Sequence, residues 1–189
     1  MDLFKNFMRL HTDLTDSDIE LMSNLARVRE INRNEYLLTA GEVCRQKAFV
    51  ISGILRTFII AADGSEQTLR FSAENSWVTD QESYDLQTAA NSNIFAVEPC
   101  ILLLWSKTDL DILEATLPTL KDFTTQVTQQ HIYHSDQPLS PPLGATPEAR
   151  YKEFVNKYPV LQLRLPQRMI AAYLGITIRT LERIRQEQQ

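Results

Sequence analysis

The chain has 189 residues, 43% of them hydrophobic and 23% charged, with a formal net charge of −5. That length holds one large domain or two small ones, and the composition is that of an ordinary globular protein. No apolar run reaches the roughly 18 residues of a membrane span, and the mixed charges of Met1-Asp-Leu-Phe-Lys-Asn-Phe-Met-Arg-Leu10 exclude a signal peptide, so a cytoplasmic protein is expected.

Residues 1–30 read as helical, with capping chemistry between Asp13 and Ser17 ahead of Ile19, Leu21, Met22 and Leu25. From Val28 to Trp105 the texture changes to short alternating or apolar runs: 35–38, 48–51, 54–60, 67–71, 94–97 and 101–105. Gly41, Ser52-Gly53, Asp63-Gly64 and Glu98-Pro99 punctuate them. Ala62-Asp63-Gly64 between two β-rich runs is a hairpin signal. Strands at this spacing predict a small antiparallel barrel or jelly roll. Cys44 and Cys100 lie in no CxxC pair, so they make neither a disulfide framework nor an iron–sulfur site within one chain.

After Trp105 the period becomes helical. Ser106 with Asp109 resembles a capping box, and Leu110, Leu113 and Leu117 follow on one face. Pro118 opens a second helix whose seam of Leu120, Phe123 and Val127, with Gln130 beyond, suits either a partner helix or the barrel of the same chain. His131 and His134 have a spacing that can serve a metal. Without a third ligand nearby they read as solvent-facing or interface residues, and no metal is assigned. Pro138, Pro141, Pro142, Gly144 and Pro147 then break the helix.

Beyond this linker, Thr146 can cap a helix opening at Pro147 and carrying Tyr151, Phe154, Val155 and Tyr158. The last segment reads as two short helices broken by Gly175, which supplies a positive φ at low cost. Ile170, Ala171 and Leu174 form the apolar side of the first helix, and Thr177 caps the second. Ile178, Leu181 and Ile184 are expected as the second helix's buried seam, with arginines on its other faces. Such a pair is either a terminal αα-hairpin or a helix-turn-helix whose second helix enters a DNA major groove. Charge favours the second reading. Lys152, Lys157, Arg164, Arg168, Arg179, Arg183 and Arg185 face only Glu153, Glu182 and Glu187, so residues 151–189 carry +4 and the body −9.

Together the motifs Leu37-Leu-Thr-Ala-Gly-Glu42, Phe49-Val-Ile-Ser-Gly-Ile-Leu-Arg56, Asp63-Gly-Ser-Glu66 and Ala172-Tyr-Leu-Gly-Ile-Thr-Ile-Arg-Thr-Leu-Glu-Arg-Ile-Arg185 resemble the Crp/Fnr transcription regulators over essentially the whole chain. With Glu148-Ala-Arg-Tyr151, the tail is similar to a branch with short C-termini found in the Bacteroidetes. The resemblance implies an α+β fold. A cyclic-nucleotide-binding-like β jelly roll with flanking helices spans 1–117, a central dimerisation helix 118–137, a proline-rich hinge 138–146 and a helix-turn-helix domain 147–189. It further implies a homodimer on a palindromic operator of double-stranded DNA, with RNA polymerase as a further partner and no membrane.

Carried over by position, Arg183 matches a guanine-reading arginine, a contact a guanidinium makes through O6 and N7, and Thr180 a phosphate-contacting threonine. Arg179 stands where many members have a base-reading Glu, and Ile178 where some have Arg, so the usual half-site is not expected. The resemblance thus implies DNA contact for Thr177, Ile178, Arg179, Thr180, Arg183 and Arg185, with Arg168 from the preceding helix. The chain ends at Gln189, before the β-hairpin that follows in longer members.

The family's cyclic AMP cassette uses a Gly-Glu pair and an Arg-Ser or Arg-Thr pair, because a buried phosphate needs a fixed cation and N–H donors. Here residues 71–96 hold neither, and no Lys or Arg occurs between Arg70 and Lys107. Cyclic AMP is therefore not the expected ligand, and no cofactor is assigned. A pocket of Trp77, Asp80, Gln81, Glu82 and Tyr84 would suit an apolar or cationic small-molecule effector. The other reading is a barrel serving only packing and dimerisation. An enzyme on a cupin-like barrel is set aside, since no histidine lies between residues 12 and 130. The alternative to a DNA-binding regulator is a small-molecule sensor or protein-interaction module without specific DNA binding.

Overall fold

The structure is a computed structural model that describes residues 1–135 and 145–187, with the side chains of 127–135 outside the description. Two helices lead in, α1 (Asp2–His11) and α2 (Asp16–Leu25). A reciprocal capping box starts α2: the Asp18 N–H donates to the Thr15 hydroxyl, and the Thr15 N–H to the Asp18 carboxylate. Eight strands follow: β1 (Arg27–Ile31), β2 (Tyr36–Leu38), β3 (Gln46–Ser52), β4 (Leu55–Ile60), β5 (Glu66–Ser72), β6 (Trp77–Val78), β7 (Asn93–Ala96) and β8 (Cys100–Ser106). A short helix, α3 (Gln81–Leu86), interrupts them between β6 and β7. The strands form two four-stranded antiparallel sheets, ordered β1-β8-β3-β6 and β2-β7-β4-β5.

The expected jelly roll is therefore present. β1, β6 and α3 are additions that the sequence texture did not signal. The 62–64 turn does join a hairpin, β4 to β5. The Ala61 N–H donates to Ser65 O, the Asp63 carboxylate accepts the Ser65 N–H, and Gly64 has φ +82°. A second turn needs glycine for space as well as conformation. Gly53 has φ +101°, and a Cβ there would stand 2.5 Å from Cys100 Sγ.

Strand alternation divides the first sheet's residues between two apolar layers. Ala48, Val50, Val78, Leu102 and Leu104 meet Leu38, Leu55, Ile94 and Ala96 of the second sheet. Phe49, Trp77 and Trp105 instead receive α1, where Phe4 packs 5.2, 6.1 and 5.0 Å from their rings. The Trp105 indole N–H donates to Met22 O of α2. The helices α4 (Lys107–Thr116) and α5 (Pro118–Ser135) close this side. Ser106 caps α4 as expected, accepting the Asp109 N–H. Leu120 is fully buried in this same core and Phe123 is 9% exposed. Of the two surfaces this seam could meet, Leu120 and Phe123 pack on the chain's own barrel. Val127, Gln130, His131 and His134 fall outside the described side chains, and most of the 138–146 hinge outside the described residues.

The outer face of the second sheet is covered by the C-terminal helices: α6 (Pro147–Lys157), α7 (Leu161–Arg164), α8 (Gln167–Leu174) and α9 (Ile178–Glu187). Ile54, Phe58, Phe71, Phe95 and Val97 share one core with Tyr151, Phe154, Leu161, Leu165, Tyr173, Leu181 and Ile184. The Phe71 and Tyr173 rings lie 5.3 Å apart. At the margin, Arg164 makes two parallel 2.8 Å bonds to Glu74 and pairs with Glu98, while Glu74 also accepts the Gly53 N–H.

The Arg164 guanidinium holds the Glu74 carboxyl at about 2, below its ordinary 4.5. A depressed carboxylate contributes stability that is complete above 4.5 and disappears as pH falls toward 2. Glu74→Gln is expected to destabilise the chain by about 1–2 kcal/mol at pH 7, allowing for solvent screening. Thermal melts should show the difference from wild type shrinking between pH 5 and pH 2.5, both roughly bracketing that window.

Candidate nucleic-acid interface and barrel cavity

The exposed helix α9 is built in three steps. First, α8 ends in Gly175, whose φ of +64° is left-handed and whose N–H caps onto Ala171 and Ala172 carbonyls. Second, Thr177 accepts the Thr180 N–H at 3.1 Å and starts α9. Third, Leu181 and Ile184 are buried at 0% and 1% exposure, which turns the opposite face outward. Ile178 is 47% exposed. Its expected place in the buried seam is corrected: it stands in the first turn, ahead of where α9 meets the core, and reaches solvent.

Arg179, Arg183 and Thr177 are exposed, as is Arg168 on α8, while Thr180 is half-buried with its hydroxyl 2.8 Å from that of Thr177. Arg185 departs from the set. It is half-buried and donates to Gln162 O of α7, so it braces the module from behind.

Three residues near the start of α6 organise this face. Arg150 donates from Nε to Ala145 O and from Nη1 to Leu174 O, capping the carbonyl end of α8. The same Nη1 would lie 3.4 Å from a Cβ on Gly175, so the guanidinium fills the hollow of the turn. Tyr151 is buried and donates to Gln162. Glu148 accepts from Arg183 Nη2 at 2.9 Å, and Glu187 from Arg183 Nη1 at 3.2 Å. The two carboxylates push the Arg183 guanidinium further toward its charged form. Sequence reasoning assigned no role to Arg150 or Glu148 because their partners lie far downstream at no periodic offset.

Of the residues expected to line a barrel pocket, Trp77 and Gln81 share one crevice, and Asp80, Glu82 and Tyr84 have other surroundings. Trp77 is stacked among Phe4, Phe49 and Trp105. Tyr84 is buried beside the Lys47 and Lys107 ammonium groups, 4.8 and 4.7 Å from its ring, and burial pushes its hydroxyl up. Glu82 is exposed. Trp77 and Gln81 border a shallow crevice under α5, with Lys47, Leu120 and Phe123. Asp80 caps α3, accepting the Ser83 N–H at 3.1 Å and the Ser92 hydroxyl at 2.6 Å. The roomier cavity, about 350 Å³, is instead lined by Leu37, Leu38, Cys44, Ala48, Thr79 and Ile94, with Glu42 and Arg45 at its exposed rim. Arg70 donates to Thr79 O, tying β5 to the residue that follows β6. Among the described residues no group of three His, Cys, Asp or Glu could hold a metal, and no helix is long and apolar enough to cross a membrane.

Residues 28–115 match the Cyclic nucleotide-binding domain family. The fold is that of Crp/Fnr-type regulator structures. The chain superposes on the catabolite activator protein of Thermus thermophilus with a TM-score of 0.61 at 20% identity, covering 93% of this chain and 84% of that one. It superposes on FixK2 of Bradyrhizobium japonicum at 0.73 and 16% identity, over 86% and 83%. A protein of Eubacterium rectale, described as a transcriptional regulator of the crp/fnr family, gives 0.70 at 16% identity over 95% and 85%. No curated protein sequence matches the chain.

The Arg150 bonds predict a local effect. Arg150→Ala should cost about 1–3 kcal/mol, because it strips a carbonyl cap and empties the turn's hollow. Hydrogen exchange should show protection lost first in α8 and the start of α9, with the barrel strands β3 and β8 retained.

Proposed function

We propose that the chain is a DNA-binding transcription regulator acting as a homodimer on a palindromic operator, and that cyclic AMP does not control it. The observation that carries the reading is the outward face of α9. Arg183, Arg179 and Ile178 project from a helix anchored by Leu181 and Ile184, behind a left-handed Gly175 turn. Such an exposed, basic helix face suits a DNA groove. The acidic body and basic tail fit a polyanionic partner. The crp/fnr description of the Eubacterium rectale protein supports the same reading.

Independence from cyclic AMP rests on Asp80. At the mouth of α3, the donors that could meet a phosphate already meet a carboxylate of the chain itself: the Ser83 N–H and the Ser92 hydroxyl. A cyclic phosphate there would have to displace that carboxylate or bear its repulsion, and Arg70, the neighbouring cation, is already bonded to Thr79 O. The cavity between the sheets, with Leu37, Leu38 and Ile94 inside and Glu42 and Arg45 at its rim, has room for a small-molecule effector, so an effector of mixed polar and apolar character is part of the proposal.

Selection from random duplex DNA should return a two-fold symmetric sequence whose affinity falls steeply with salt. Arg183→Ala should weaken that site by about 10- to 100-fold and erase preference at one position of each half-site. A protein without specific DNA binding would instead return no consensus. Calorimetric titration of the full chain with cyclic AMP should show no micromolar binding.

A further inference from the structure

The contacts of Arg183 carry an inference that rests on the DNA-reading function and deepens it. A guanidinium on an exposed helix is attracted to any phosphate it meets, and this attraction is blind to sequence. Arg183 is not presented in that free state. Glu148 holds Nη2 and Glu187 holds Nη1, so both terminal nitrogens are engaged by carboxylates. Glu187 lies one turn along α9, but Glu148 comes from 35 residues upstream on a different helix. Its position is set by tertiary packing, because Tyr151 and Phe154 of α6 share a core with Leu181 and Ile184 of α9. Arg150, two positions along α6, is bonded to the turn between α8 and α9. The start of α6 is thus fixed against the reading helix at two points, and one of them is the reading arginine.

We propose that Glu148 is a specificity-determining residue: a built-in counter-ion that Arg183 exchanges for a guanine edge at the correct site and retains elsewhere. The exchange is favourable where O6 and N7 offer two acceptors in one plane to the guanidinium. Over other sequences the ion pair persists, and the carboxylates of Glu148 and Glu187 face the phosphates with the wrong sign. The device subtracts from sequence-blind affinity and leaves the specific contact largely intact. Because both side chains are well exposed, the effect is a small multiple.

The test uses the full chain with two duplexes of equal length, the selected operator and a scrambled one, at fixed salt. Three proteins are compared: wild type, Glu148→Gln and Glu182→Gln. Glu182 is exposed on α9 and removes the same charge without touching Arg183. Glu148→Gln should bind the scrambled duplex about two- to fivefold more tightly, with operator affinity nearly unchanged, so discrimination falls by the same factor. Glu182→Gln should keep wild-type discrimination. Equal discrimination in wild type and Glu148→Gln overturns the proposal and leaves the DNA-reading function standing, as does an equal loss in Glu182→Gln. A wild type that prefers no duplex removes the DNA-reading function and this inference with it.

Discussion

The second sheet, β2-β7-β4-β5, has two apolar faces, and the chain must cover both. Its inner face meets the first sheet. Its outer face carries Phe58, Phe71, Phe95 and Val97, and left in water these side chains would forgo roughly 1.5–3 kcal/mol each. Among the described residues, the C-terminal helices cover them. A charged residue is sealed in with this layer: Arg56, 6% exposed, lies over the Phe58 and Phe95 rings and is neutralised by Glu66. A buried guanidinium so paired adds little net stability but penalises any packing that strips its partners. The place of α9 therefore follows from what the barrel needs covered.

A common electrostatic device runs through the molecule. At α3, Asp80 occupies donors of the kind a phosphate would use. At the module's margin, Glu74 and Glu98 close around Arg164. On α9, Glu148 and Glu187 occupy Arg183. In each case a strong anion-binding arrangement meets a carboxylate of the same chain. The pairs differ in burial and so in consequence. Arg164 is mostly enclosed and its bidentate bond to Glu74 is a structural clasp, whereas the Arg183 pairs stand in solvent, where exchange is cheap.

Much of this was legible in the sequence, and the exceptions have physical reasons. Period and punctuation marked the hairpin at 62–64, the caps at Thr15, Ser106, Thr146 and Thr177, and the turn at Gly175, because each is a local backbone requirement met by a local side chain. β6 is two residues long and α3 six, too short for a period to register. Leu120 and Phe123 have the spacing of a partner-facing seam, but spacing cannot say whose surface an apolar stripe meets. Ile178 continues the seam's repeat and still reaches solvent. Of the candidate DNA contacts, Arg185 alone turned inward, toward a carbonyl of α7 that no sequence offset announces. The contacts of Arg150 and Glu148 are equally invisible to sequence spacing.

The bond from Arg70 to Thr79 has a further meaning once its neighbours are followed. Thr79 borders the barrel cavity, Arg70 is bonded to its carbonyl, Phe71 is the next residue on β5, and its ring rests on Tyr173 of α8. Four residues thus span the distance from the cavity wall to the helix-turn-helix. This lateral path crosses directly from sheet to helix and does not involve the segment that links the two in sequence. A change in the cavity wall at Thr79 and a change in the seat of α8 would be events at two ends of one short contact chain.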